Sequence, residues 1–222
     1  MHIRSSVLVL LGTAGALSAC SFDSPTGSGS GQLTGHGVDT IQYYAPFSGT
    51  YAYESSGSQY LFTPSTEITV GDLPNAGQTN RGIVTFNVQA LDGDTAQAAT
   101  LVVYECDVVG APFSSPDLGQ VVVDHVTPGT PPSGQGGYSG SALASDIGPI
   151  APDATTGFRN LTVTSSVESD ISSGAQYSQF RFRFTNEDGN SAGTGAYVAF
   201  QTANGVNCAS DASLEPELIV TY

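Results

Sequence analysis

The stretch Gln179-Phe180-Arg181-Phe182-Arg183-Phe184-Thr185 alternates polar and apolar residues without a break. Successive side chains of an extended strand leave opposite faces, whereas a helix would scatter these phenylalanines around its circumference. The stretch predicts a strand with Phe180, Phe182 and Phe184 facing inward and Arg181 and Arg183 facing outward. Ile83 to Gln89 repeats the pattern, with Val84, Phe86 and Val88 on one side and Thr85, Asn87 and Gln89 on the other. Ala99 to Glu105 (ATLVVYE) and Val121 to Val126 (VVVDHV) are apolar on both parities, as strands buried on both faces are. Ile68 to Val70, Ala196 to Gln201 and Glu217 to Tyr222 complete the set.

A single helix is predicted near 165–173. Ser165 and Glu168 have the spacing of a capping box, Val167 and Ile171 fall at i and i+4, and Gly174 can end the helix. The rest lacks a 3.6-residue period. Short strands separated by 27 glycines and 12 prolines predict an all-β fold, an antiparallel β-sandwich of jelly-roll-like form.

The 222 residues carry five cations and 20 carboxylates, for a formal net charge of −15; every cation is an arginine. Phosphate backbones and anionic membranes are bound through clustered Lys and Arg, so this balance excludes an electrostatic nucleic-acid binder and a basic membrane-docking patch. A hydrophobic content of 39% is too high for a wholly disordered chain.

Residues 1–19 read as a signal peptide, with Arg4 ahead of an apolar run from Ser6 to Ala16 that is too short to span a bilayer. Leu17-Ser18-Ala19-Cys20 resembles the lipobox of bacterial lipoproteins. The resemblance implies cleavage before Cys20, lipidation of Cys20 and anchorage to a membrane; the alternative is an ordinary secretory signal with an incidental cysteine. Ser21 at the next position implies the outer membrane or cell surface if the source is Gram-negative. Residues 20–37 then form a Gly/Ser-rich tether, whose coil spans roughly 20–25 Å, and 38–222 form the sandwich domain. Cys106 and Cys208 remain as an even pair in an oxidising compartment. A disulfide between them, separated by 102 residues, would remove roughly 4–5 kcal/mol of unfolded-chain entropy.

The run Arg81 to Phe86 followed by Ala99 to Tyr104 is similar to the DNRLRE-type, carbohydrate-binding-module-like β-sandwich domains. Val123 to Val126, Ser165 to Asp170, Ser178 to Phe184 and Pro216 to Tyr222 extend the likeness, which runs from about Thr66 to Tyr222. The resemblance implies a jelly-roll module of surface and secreted proteins. Some such modules are attached to polysaccharide-degrading enzymes and some bind acidic polysaccharide.

Candidate chemistry is sparse. His36 lies in the tether, and Asp124 and His125, as strand neighbours, point to opposite faces and cannot form an orienter–base pair. No HExxH or phosphate loop is present, and a non-enzymatic role is expected. Two carboxylates would suffice for glycoside hydrolysis, but nothing selects a pair among 20 acids. No cofactor is required; calcium is a candidate at Asn186, Asp188 and Asn190, with a solvated turn as the alternative.

Seven of the twenty Phe and Tyr residues fall between Tyr43 and Phe62. Tyr51 and Tyr53 share a strand parity and are a candidate ligand platform, the alternative being that these rings line the core. Arg81 is placed just before a strand and Arg159 in a loop, and the arginines are assigned to local salt bridges or, alternatively, to a carboxylate ligand. The expected function is a non-enzymatic cell-surface lipoprotein that binds a glycan or another extracellular partner such as an envelope protein. A structural or adhesive envelope component without a small ligand is the alternative, and a polysaccharide-active enzyme the third reading.

Overall fold

The computed structural model describes residues 37–54, 59–64, 67–73, 77–114, 118–127, 135–187, 195–202, 208 and 211–222. Cys20, His36, Asp188 and Asn190 lie outside them, with the signal peptide and nearly all of the tether.

Twelve strands follow one another: β1 (Val38–Gln42), β2 (Gly49–Glu54), β3 (Gln59–Thr63), β4 (Glu67–Asp72), β5 (Gln78–Asn87), β6 (Ala98–Val109), β7 (Val121–Val126), β8 (Ala142–Ala151), β9 (Gly157–Thr162), β10 (Tyr177–Phe184), β11 (Ala196–Gln201) and β12 (Glu217–Thr221). Two helices interrupt them, the single-turn α1 (Gln135–Ser139) and the longer α2 (Thr164–Ser172). All strand pairs are antiparallel, and the hydrogen-bonded path runs β1-β12-β6-β11-β4-β5-β10-β7-β8. The β2–β3 hairpin pairs along the other edge of β5, and β9 along the other edge of β6.

One sheet thus curls into two facing layers. The first holds β3-β2-β5-β10-β7-β8 and the second β9, β6, β11 and β4 with β12 and β1. They join where β4 and β5 pair through only Gly71–Asn80 and Asp72–Thr79. Phe86, Phe180, Phe182, Phe184, Val121 and Val123 of the first layer meet Ile68, Val70, Leu101, Val103, Val198, Phe200, Leu218 and Val220 of the second in one buried cluster. Each fully buried large apolar side chain contributes roughly 1.5–3 kcal/mol, so the phenylalanine parity of β10 fixes which face turns inward. Gly82 shares that inward parity, and a Cβ there would stand 2.3 Å from Ile68 Cγ2, so only glycine lets the layers close at this point.

The all-β antiparallel architecture agrees with the sequence reading, as do the strands at β4, β5, β7, β10, β11 and β12. Several local expectations need correction. All six residues of β7 are buried, but β6 alternates, with Thr100, Val102 and Tyr104 only half-buried. Arg81 lies inside β5 and Arg159 inside β9, because both strands begin earlier than their apolar patterns. The strand containing Val84 ends at Asn87, and Gln89–Leu91 form a 3-10 turn.

The predicted helix is present, but its capping box is not. Val163 occupies the N-cap without a side-chain bond, and Glu168 instead accepts the Ala96 N–H. The chain ends α2 as expected: Gly174 (φ 68°) donates to Ile171 O and Ala175 to Asp170 O, a Schellman pair that requires the left-handed residue. Val167 and Ile171 face the core.

Candidate functional site

The outward face of β5 and β10 is not a solvent face. Arg181 and Arg183 converge on Asp124 of β7, with Arg181 Nη2 2.8 Å and Arg183 Nε 3.0 Å from Asp124 Oδ2. Asp124 Oδ1 accepts from Arg183 Nη2 (3.2 Å) and from the Asp146 N–H (3.0 Å). Burial pushes the Asp124 carboxyl up, but hydrogen bonds from Arg183, the Asp146 N–H and Arg181 outweigh it and hold the group below the ordinary range. Arg81 joins the row from β5, its Nε donating to both oxygens of Glu187 at 2.9–3.0 Å and its guanidinium 4.3 Å over the Tyr138 ring. Arg81 and Arg181 both donate to Tyr138 O, which fastens α1 to this face.

The opposite parity of Asp124 and His125 holds. His125 turns toward α2, where its Nε2 lies 2.8 Å from Asp170 Oδ2, and Ser178 Oγ donates to the same oxygen at 2.5 Å. All three residues are buried. The aspartate stands between serine and histidine, so the imidazole does not contact the hydroxyl, and the three tie α2 to β7 and β10. On β6, Glu105 is wholly buried, accepts Arg159 Nε at 2.6 Å through Oε2 and leaves Oε1 without a partner. Burial outweighs Arg159 and raises its carboxyl to about 7.

Tyr51 and Tyr53 share a face, as their parity required, but they do not form an exposed platform. Tyr51 has no exposed surface: its ring lies 4.5 Å from Phe62, and Gly137 packs against it so closely that a Cβ would stand 2.5 Å away. Burial drives its phenol well above the ordinary range. Tyr53 is half-buried in a cluster with Tyr60 and Tyr138, with centroids 4.9 and 5.8 Å away. The hydrophobic occupants of this face are therefore a second, smaller core beneath α1.

A second aromatic group packs beside the start of β10. Tyr44, Phe47 and Tyr177 are half-buried and mutually packed, with centroids 5.0, 5.3 and 5.4 Å apart. The segment bearing the first two is held on β5 by several bonds. Tyr44 N–H donates to Thr85 O (2.6 Å), Thr85 N–H to Ser48 Oγ (3.0 Å) and Thr85 Oγ1 to Phe47 O (2.8 Å). Gln179 completes the chain by donating to Thr85 Oγ1 (2.8 Å). Tyr177 starts β10 opposite Asn87, and burial together with a hydrogen bond to the Tyr44 side chain raises its phenol pKa. The sequence reading missed this triad, although Tyr177 has the outward parity of Arg181 and two of its members lie in the aromatic-rich segment.

Cys106 and Cys208 form the expected disulfide, with Cα atoms 5.4 Å apart. Of the calcium candidates only Asn186 is described; its N–H donates to Leu118 O, while the neighbouring Glu187 is engaged by Arg81. No described group of three or more His, Cys, Asp or Glu is placed to hold a metal, and no described helix is long and apolar enough to cross a membrane. No protein-family model and no curated protein matches the chain.

Proposed function

We propose that this chain is a lipid-anchored envelope protein whose β-sandwich is a non-catalytic carbohydrate-binding module, with Tyr44, Phe47 and Tyr177 as its platform. The observation that carries the reading is the half-buried, mutually packed triad itself. Its rings are held in a fixed arrangement by backbone and side-chain bonds to β5, so little ordering remains to be done on binding. Pyranose rings present apolar C–H faces that pack on aromatic surfaces, and the phenol hydroxyls of Tyr44 and Tyr177 supply polar contacts at the same place. The lipobox-like Leu17 to Cys20 and the Gly/Ser-rich tether support presentation at a membrane surface.

Affinity electrophoresis of the full chain in detergent against a panel of soluble polysaccharides tests the proposal. Retardation by at least one polymer is expected, with Tyr177→Ala or Phe47→Ala weakening it about tenfold, the equivalent of about 1.4 kcal/mol. A folded chain that no polymer retards would overturn the reading in favour of a structural or adhesive envelope component.

A further inference from the structure

The arginines decide what kind of glycan the platform can take. The chain has no lysine and five arginines, of which Arg4 lies in the signal sequence. The other four are all committed internally. Arg81 is paired with Glu187, Arg181 and Arg183 with Asp124, and Arg159 with Glu105 and Asp153. Apart from the exposed Asp153, the paired carboxylates are half-buried to buried, and the arginines also donate to backbone carbonyls of Tyr138, Gly140, Phe184, Asp153 and Thr155. Turning Arg81 or Arg159 toward an external anion would strand Glu187 or Glu105, which is strongly unfavourable, and turning Arg181 or Arg183 would break up the shared network on Asp124.

The platform has no charge of its own. Tyr44, Phe47 and Tyr177 are flanked by Gln176, by Asn87 across the β5–β10 pair and by Gln89, whose N–H caps Asn87 Oδ1. The upward shift of the Tyr177 phenol comes from burial and Tyr44, with no contribution from a carboxylate or a guanidinium. Around this neutral patch the chain carries a formal charge of −15, a field that repels polyanions.

Resting on the carbohydrate-binding reading, we infer that the Tyr44–Phe47–Tyr177 platform selects uncharged polysaccharide and rejects acidic polysaccharide. Recognition is by ring stacking and by amide and phenol hydrogen bonds, so it is nearly independent of salt.

Matched polymers test the inference. The full chain is run in detergent against dextran, laminarin and galactomannan, and against the carboxymethylated form of each, at about 0.05 and 0.5 M NaCl, low and high against the screening scale. The expected result is binding to at least one neutral polymer, at least about tenfold weaker binding to its carboxymethylated form and less than about twofold change with salt. Tyr177→Ala should weaken that binding about tenfold, while Phe158→Ala, which removes an exposed aromatic on the other layer, should leave it intact. Equal or tighter binding to the carboxymethylated polymer, or loss of binding with salt, would overturn the neutral selectivity and leave the carbohydrate reading standing. Loss with Phe158→Ala in place of Tyr177→Ala would overturn the site. Failure to bind any polymer, neutral or acidic, would overturn both readings together.

Discussion

Asp124 on β7 and Glu105 on β6 are both buried and both bonded to arginine, yet they ionise in opposite directions. Both oxygens of Asp124 are occupied, by two guanidiniums and a backbone N–H, and its carboxyl stays below the ordinary range. Glu105 receives a single bond on one oxygen, its second oxygen has no partner, and burial lifts it to about 7. Burial exacts a similar desolvation cost at each site, so the number of donors decides the sign. The same difference separates the two regions in architecture. Asp124 lies at the centre of a network that fastens α1 to the sheet, and Glu105 ends an apolar strand face with one arginine over it.

The largest expected effect comes from breaking the better-satisfied site. Asp124→Asn strands Arg181 and Arg183 and should cost about 3–5 kcal/mol in urea denaturation at neutral pH. A loss below about 1 kcal/mol would show that the network is not what holds this face together.

The second effect is a pH dependence of opposite sign at the two sites. Glu105 titrates near 4.5 when unfolded and near 7 when folded, so between these values the folded chain keeps a proton that the unfolded chain has lost. Its contribution is complete below 4.5 and disappears as pH rises through about 7, a change of about 3 kcal/mol at most. Asp124 behaves in reverse: its contribution is present above the unfolded carboxylate value and is lost as pH falls through its depressed folded value. Glu105→Gln should therefore flatten the stability profile between pH 5 and 7.5 and leave acid unfolding below pH 4 unchanged. An unaltered slope in that variant would remove Glu105 as its source.

The smallest effect sharpens the role of unpartnered atoms. Tyr51 Oη is buried without a hydrogen bond within the otherwise well-bonded face around Asp124. Tyr51→Phe removes that desolvated oxygen and keeps the ring against Phe62 and Gly137, so stability should rise by up to about 1 kcal/mol. Destabilisation by thermal melting would mean that the hydroxyl is partnered in solution.

Alternation in β10 and β5 was readable because a strand's side-chain period is two and the buried phenylalanines occupy one parity without exception. The β8 strand was not readable: Ala142 to Ala151 includes Asp146 at φ 52°, Gly148 and Pro149, and its pairing with β7 shifts register three times. Its sequence looks like a turn because its bulges are built from turn residues. The capping box at Ser165 failed for a related reason. Its glutamate found a better partner in the Ala96 N–H, which is distant in sequence. Tyr51 and Tyr53 were correctly placed on one face, but parity says nothing about what covers that face.

By itself the sequence determined the antiparallel β class, the inward parity of Phe180, Phe182 and Phe184, the opposition of Asp124 and His125, and the Cys106–Cys208 pair. These follow from local periodicity and from counting, which need no knowledge of distant partners. Only the tertiary structure decided that α1 would bury Tyr51, that the arginines would be consumed by Asp124, Glu187 and Glu105, and that Tyr44, Phe47 and Tyr177 would pack together. Exposure and ionisation depend on which segments fold over a site and how many donors they bring. Those are long-range contacts between residues far apart in the chain, and no local pattern carries them.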